Sequence, residues 1–195
     1  MCTLIVLRQV VPDQALVVAS NRDEYLVRPA APPHVTDMQC GEPFVAPQDL
    51  EAGGTWIGVN AAGLFIGLTN RADTARAGSA AQQPHIYRSR GLLVRDLLLM
   101  SDVTAVRERL AHVRLSDASE SRAPMDRWSD AYRPFNLIAI DDTEGLRVTH
   151  MNEGSPVLTP LDRGVHVLCN REPSEEQCSK VEWIRRALSG ADWNG

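Results

Sequence analysis

Cysteine at position 2 is the side chain of this sequence best suited to covalent chemistry. Removal of Met1 would leave a cysteine whose thiol and α-amino group share one carbon atom. A thiol is the strongest common nucleophile among side chains, and an adjacent amine can accept its proton. Because the ordinary pKa values are near ~8.5 and ~7.7–8.0, that proton transfer is easy close to neutral pH. The start of the chain therefore predicts an N-terminal nucleophile; the alternative is a cysteine with no chemical role.

Four consecutive polar residues follow the second apolar stretch of the chain. Residues 3–8 and 15–19 predict two strands joined by a turn at residues 11–14. A tight hairpin makes the strands antiparallel, so the end of the second lies beside the start of the first. This geometry predicts that the four residues lie next to Cys2, although a plain turn has the same composition. They are Asn21, Arg22, Asp23 and Glu24.

The chain resembles the NRDE-motif family, also called the transport and Golgi organisation protein 2 family. The resemblance begins with Met1-Cys2 and the run 21–24, and it extends over nearly the whole chain. This family is similar in turn to cysteine N-terminal-nucleophile hydrolases such as penicillin V acylase, bile salt hydrolase and acid ceramidase. Further matching stretches are residues 53–60, 63–71, 135–138 and 164–170, in the last of which Cys169 replaces a serine of the family.

The resemblance implies catalytic roles at four positions. Cys2 matches the nucleophile, and Asp23 matches the carboxylate that orients the α-amine. Asn170 matches an asparagine of the oxyanion hole, and Asn70 lies within one position of a second. An asparagine that caps a turn after a strand is the alternative for both amides.

Substrate binding is expected from the polar and aromatic residues around these positions, namely Asn21, Arg22, Glu24, Trp56 and Arg71. The acylases carry an arginine about where Ser20 stands, so Arg22 either substitutes for it or points elsewhere. The expected reaction is amide hydrolysis. The thiolate attacks the carbonyl, hydrogen-bond donors stabilise the oxyanion, the leaving nitrogen is protonated, and water resolves the thioester. This reaction requires no cofactor and no metal.

A carrier is the second function that we consider. The resemblance links the family to haem trafficking and to lipid or acyl-CoA metabolism, so haem or an acyl lipid is the expected ligand of a non-catalytic protein. Trp56 and Phe65 are candidates to line a pocket for a flat ligand, with core packing as the alternative. The histidines have no diagnostic spacing for haem ligation; they are His34, His85, His112, His150 and His166.

The composition is typical of one soluble domain. The chain has 195 residues and a net charge of −5, which argues against a nucleic-acid surface. No apolar run approaches the ~18 residues of a membrane span, and the start lacks the features of a signal peptide. The cysteines show no metal-binding spacing; they are Cys2, Cys40, Cys169 and Cys178. We expect a single cytoplasmic domain over residues 1–195 with free thiols.

Strands, helices, strands and a final helix follow one another along the chain. Continuous apolar runs at residues 16–19 and 64–68 predict strands that are covered on both faces. Two antiparallel sheets of this kind need helices outside each one. The predicted fold class is therefore α+β, a four-layer αββα sandwich, which the resemblance also implies. Family members usually continue into further strands, so we expect either missing C-terminal strands or a shortened sheet.

The predicted elements have definite bounds. Residues 28–33 predict a loop, 55–69 strands, and 72–83 a mobile surface loop. Residues 90–100 and 103–113 predict helices, the second capped by Ser101 or Asp102. Strands follow at 136–141, 147–151 and 165–169, with a hairpin connection at 141–145. A capping box at 174–177 predicts a helix that continues through Leu188 and ends at Gly190.

Overall fold

Two antiparallel sheets, packed face to face, make up the centre of the structure. The computed structural model describes residues 2–36, 41–71, 87–111, 131–151, 155–170 and 179–191. The predicted loop at 72–83 and the capping box at 174–177 lie outside these residues. Among the described helices, none has the length and apolar character needed to cross a membrane.

The smaller sheet contains the start of the chain. Its strands are β1 (Thr3–Val11), β2 (Gln14–Asn21) and β10 (Gly164–Cys169), in the order β10-β1-β2. The β1–β2 hairpin turns through Asp13, which has a φ of 58°. The hairpin prediction is confirmed. The prediction that residues 16–19 are covered on both faces is wrong, because β2 lies at the sheet edge and residues 16–18 are only half-buried.

The larger sheet is a meander of seven strands that are adjacent in sequence order. Its strands are β3 (Ala30–Thr36), β4 (Phe44–Asp49), β5 (Ile57–Asn60), β6 (Phe65–Asn70), β7 (Phe135–Ile140), β8 (Gly145–His150) and β9 (Val157–Pro160). The two-sided burial predicted for residues 64–68 is confirmed at the centre of this sheet. The loop predicted at 28–33 is wrong from Ala30 onward. An edge strand with a bulge between Ala31 and His34 tolerates the two prolines there, because its outer N–H groups need no ladder partner.

Helices cover the outer faces of both sheets. Helices α1 (Arg90–Leu97) and α2 (Val103–Ala111) bury their apolar sides against the seven-stranded sheet. Leu4 and Val6 of β1 pack against Phe65 and Ile138 between the sheets. Helix α3 (Ser179–Ser189) packs on β10. The layers are therefore helix, seven strands, three strands, helix, and the predicted αββα sandwich is confirmed.

The helix ends follow from local hydrogen bonds. Asp102 accepts from the Ala105 N–H at 2.7 Å, so Asp102 is the cap that the sequence left open between two candidates. Helix α1 ends three residues earlier than predicted, and α2 ends at Ala111, the last described residue before a gap. Helix α3 ends directly before Gly190, as predicted.

Candidate active site

Cys2 lies at the point where three strands of the smaller sheet end together. In the strand register, Thr3 is opposite Asn21 on one side and opposite Cys169 on the other. The residue before Thr3 is thus flanked by the residues that follow β2 and β10, namely Arg22 and Asn170. Cys2 is half-buried, and its Sγ donates a hydrogen bond to the main-chain carbonyl of Asp23 over 3.7 Å. The hairpin therefore places the 21–24 run beside the thiol.

The Asp23 side chain is exposed and ionised near this thiol. The pKa of this carboxyl group is lowered from its ordinary value, and the amino group of the unprocessed chain, which belongs to Met1, has the largest effect. Asn21 Nδ2 also donates to Asp23 Oδ1 at 2.7 Å. The sulfur thus contacts the main-chain carbonyl of Asp23, while the carboxylate accepts from Asn21. An ionised carboxylate beside Cys2 is able to stabilise the charged form of an amine that removal of Met1 would free.

An open cleft of about 310 Å³ begins at Cys2. Its walls combine the ends of β1, β2, β4 and β6 with the first turn of α1. Asn70, at the end of β6, shares this cleft with Cys2, and Trp56 and Leu68 supply apolar surface. A thiol, an amide and an aromatic ring therefore face one space that is large enough for a small organic ligand.

Arg22 is held by an acidic side chain that is not among the expected site residues. Its guanidinium donates to Asp49 Oδ2 at 2.8 Å and lies 4.5 Å from the centre of the Trp56 ring. Arg28 Nε donates to the same oxygen at 2.9 Å, and Glu24 forms longer ion pairs with both arginines. The substrate-binding residues expected at positions 22 and 24 thus line the cleft, but as parts of an ion-pair network.

The pKa of Asp49 is lowered although burial, the largest single influence, acts to raise it. The lowering comes from main-chain N–H groups of Ala52 and Glu51, which donate to Oδ1 at 3.1 and 3.0 Å, and from the charges of Arg28 and Arg22. Asp49 therefore stays ionised at neutral pH. Its carboxylate orders both the turn after β4 and the arginines of the cleft.

Gly54, in the stretch 53–60 that resembles the family, lies where only a glycine fits. A Cβ at this position would lie 2.3 Å from the carbonyl carbon of Gly91. The Thr55 N–H donates to the Gly91 carbonyl at 3.0 Å, which ties this segment to the start of α1. Ser89 caps that helix by accepting from the Gly91 N–H. Close packing of two backbones therefore places the first turn of α1 in the cleft wall.

Two further arginines reach the cleft from the other side. Arg90, the first residue of α1, is half-buried, and its Nη1 donates to the Pro134 carbonyl at 2.8 Å. Burial first, and then the charge of Arg133, lower its pKa to about 10. The Arg133 guanidinium lies 5.3 Å from the centre of the Tyr87 ring. Both cations therefore add positive charge near Cys2.

Several predicted site residues do not line this cleft. Among the described residues, the cleft walls include neither Asn170 nor Arg71. Asn170 follows β10 with its Oδ1 buried and without a hydrogen-bond partner, and Arg71 is buried with its main-chain N–H donating to Pro134. Phe65, a candidate for the pocket lining, packs instead between the two sheets, because its side chain points to the inner face of β6.

The described histidines also lie outside the cleft walls. His34 is exposed at the edge strand β3, His150 is fully buried with Nε2 3.2 Å from the Tyr132 carbonyl, and His166 Nε2 lies 2.8 Å from the Asp162 carbonyl. His85 and His112 fall outside the described residues. Within the described part of the chain, no group of histidine, cysteine and acidic side chains is arranged to hold a metal ion.

Comparisons with known proteins agree with this architecture. A family model described as "Transport and Golgi organisation 2" matches residues 1–192. The fold is similar to a Caenorhabditis elegans N-acylethanolamine-hydrolyzing acid amidase ortholog, with a TM-score of 0.60, 12% identity, and 96% of this chain and 79% of that chain covered. It is also similar to the C2A mutant of conjugated bile acid hydrolase from Clostridium perfringens, with a TM-score of 0.52, 14% identity, and 96% and 58% covered. No curated protein sequence matches the chain.

Proposed function

The chain belongs to the Transport and Golgi organisation 2 family, and on that basis we propose that it is a cysteine hydrolase that cleaves an amide bond. The observation that carries the proposal is the position of Cys2, which lines the cleft together with Asn70 and whose thiol contacts the main-chain carbonyl of Asp23. A nucleophile, an anion beside the α-amino group and an uncharged amide donor are the groups that acyl transfer needs.

Removal of Met1 by an aminopeptidase before the first turnover frees the α-amine of Cys2. This amine takes the thiol proton while the Asp23 carboxylate holds it in place. The sulfur attacks the carbonyl carbon, and the side-chain amide of Asn70 donates to the oxyanion, with Asn170 as the second proposed donor. The carbon–nitrogen bond then breaks, the leaving amine receives the proton, and water hydrolyses the thioester.

The two similar structures are compatible with the proposed reaction. Both are hydrolases by their titles: one hydrolyses N-acylethanolamines, and the other hydrolyses conjugated bile acids. The second carries its substitution at a cysteine of position 2. Because identity to these proteins is 12% and 14%, the likeness establishes the fold alone, and the chemistry is inferred from the cleft.

Amine release from a panel of N-acyl amides tests the proposal. The protein is first checked by intact mass for loss of Met1, and primary amine is then measured over time by mass spectrometry. We expect turnover by the processed protein and a loss of at least about 10³-fold in Cys2→Ala. Cys169→Ala is the matched control, because it removes a buried thiol that does not line the cleft.

A carrier would give a different pattern in the same experiment. Stoichiometric binding of haem or an acyl lipid that survives Cys2→Ala, with no amine released by the processed wild type, would replace the hydrolase with a carrier of that ligand.

A further inference from the structure

The walls of the cleft carry more positive than negative charge. Its described lining contains five arginines and two carboxylates, Glu24 and Asp49. Each of these carboxylates forms ion pairs with both Arg22 and Arg28. A third arginine, Arg88, pairs with Asp96 at 2.7 Å. The remaining two cations are Arg90 and Arg133.

Within the part of the chain that the structure describes, Arg90 and Arg133 have no carboxylate at ion-pair distance, although the charge of Glu24 acts on Arg90 from farther away. Arg90 donates to a neutral carbonyl, and Arg133 stacks above Tyr87. Partial removal of the Arg90 cation from water without a paired anion is unfavourable, and the nearby exposed Arg133 cation repels it. The low pKa of Arg90 has these two causes.

We propose that Arg90 and Arg133 form a binding subsite for an anionic oxygen group of the substrate, a carboxylate or a phosphate, close to the bond that Cys2 attacks. The guanidinium fork suits such groups because two parallel N–H donors match two oxygens. The naming of a substrate rests on the proposed hydrolase function. The subsite itself rests only on the charges and contacts of the cleft.

The first turn of α1 adds to the same field. Ser89, Arg90 and Gly91 all line the cleft, so the positive end of the helix dipole opens toward it. The substrate class is therefore an amide with an anionic group, such as an N-acyl amino acid or a phosphorylated acyl amide. A neutral amide of the same size would leave the two arginines without a partner.

Two alkylating reagents of equal size measure this subsite without any turnover. Iodoacetate and iodoacetamide differ in charge, and both transfer their two-carbon group to a thiol with loss of iodide. Both alkylation rates at Cys2 are measured by mass spectrometry of the N-terminal peptide. The ratio of the iodoacetate rate to the iodoacetamide rate is then compared with the same ratio for a small free thiol. We expect this ratio to be about three- to tenfold higher at Cys2 than at the free thiol, because one or two nearby cations in a partly screened cleft attract the anionic reagent.

Variants assign the effect to the two arginines. Arg133→Gln, an exposed position, and Arg90→Gln should each lower the ratio by about threefold or more, whereas Arg90→Lys should keep most of it. Arg107→Gln is the matched control, because it removes one positive charge on α2 outside the cleft. A wild-type ratio equal to that of the free thiol, or no change in both glutamine variants, overturns the proposal; if Arg90→Gln does not fold, Arg133→Gln decides.

Protection of Cys2 from iodoacetamide then identifies the anion. N-decanoylglycine and dodecyl phosphate are compared with neutral N-decanoylglycinamide. We expect at least one anion to protect at roughly tenfold lower concentration than the neutral amide. Equal protection by all three compounds overturns the subsite. An anion preference without amine release from any amide keeps the subsite and removes the hydrolase proposal.

Discussion

Arg22 and Asp49 join the two sheets at the cleft. The Arg22 guanidinium, directly after β2 of the three-stranded sheet, donates at 2.8 Å to the carboxylate of Asp49, the last residue of β4 in the seven-stranded sheet. Each side chain retains less than a sixth of its exposure. The run that contacts Cys2 is therefore held against the larger sheet by a largely desolvated ion pair.

Replacing Asp49 with asparagine should destabilise the protein. The variant leaves the Arg22 and Arg28 guanidinium groups without their carboxylate while the pair remains largely shielded from water. We expect the free energy of unfolding to fall by about 2–4 kcal/mol, measured by urea denaturation. Glu51→Gln is the control, because its carboxylate is 65% exposed and lies 3.7 Å from Arg28. A change below about 0.5 kcal/mol is expected there, and equal losses in both variants would contradict the assignment.

Gly54→Ala should displace the first turn of α1. The added Cβ would lie 2.3 Å from the Gly91 carbonyl carbon and 2.6 Å from the Leu92 nitrogen, and these backbone atoms cannot rotate away. We expect a loss of about 1–3 kcal/mol in unfolding free energy and an altered alkylation rate at Cys2. Gly190→Ala is the matched control, since its nearest contact would be an ordinary 3.7 Å. Equal stability of the two variants would show that the backbones do not pack this closely.

Asp141 should make the stability depend on pH. Its carboxylate accepts from the Val103 N–H at the start of α2 and from the Thr143 and Glu144 N–H groups, each at 2.8 Å. Burial, the largest influence, raises the pKa, but these hydrogen bonds outweigh it, so the pKa in the folded protein is lowered from 3.8. Because the pKa is lower in the folded protein, ionised Asp141 contributes to the free energy of unfolding above its unfolded pKa. This contribution is lost as the pH falls through its folded pKa.

Asp141→Asn should therefore lose less stability than wild type between about pH 5 and about pH 2.5. Urea denaturation at the two pH values gives the difference for each protein. Asp142→Asn, which removes the adjacent carboxylate, is the control and should retain the wild-type pH dependence. Identical pH dependence of wild type and Asp141→Asn would mean that Asp141 titrates at the same pH in the folded and unfolded chains.

Local geometry made part of the site predictable. A tight hairpin fixes which end of β2 lies beside Cys2, so the neighbourhood of Cys2 and the 21–24 run follows from about twenty residues of sequence. The burial of the central strand β6 was equally predictable, because an unbroken apolar run indicates that a strand is covered on both faces. At the edge strand β3, Pro32 and Pro33 suggested a loop, yet the missing N–H groups are tolerated where no neighbouring strand needs them.

Long-range packing decided the rest of the cleft. Asp49 ends a strand that the sequence did not indicate, and Arg90 begins a helix whose charged first residue is typical of a solvated surface. Arg133 is more than forty positions from Arg90, and the hydrogen bond of Arg90 to the Pro134 carbonyl joins the start of α1 to the segment before β7. A signal was present at Gly53-Gly54, since paired glycines often mark a close backbone approach. Nothing local indicated that the approaching element is α1.

Asn70 should contribute more to turnover than Asn170. Both follow or end strands close to Cys2, but within the described residues only Asn70 lines the cleft, and Asn170 has its side-chain oxygen buried. A single oxyanion donor is worth about 10²–10³ in kcat, with little effect on KM, because it acts mainly on the transition state. We therefore expect Asn70→Ala to lower kcat by that factor and Asn170→Ala to lower it less, measured as amine release from the best amide of the panel. Asn70→Asp, which keeps the shape but replaces the donor with a negative charge, should be at least as impaired as Asn70→Ala. Full activity of Asn70→Asp would show that this side chain donates no hydrogen bond to the oxyanion.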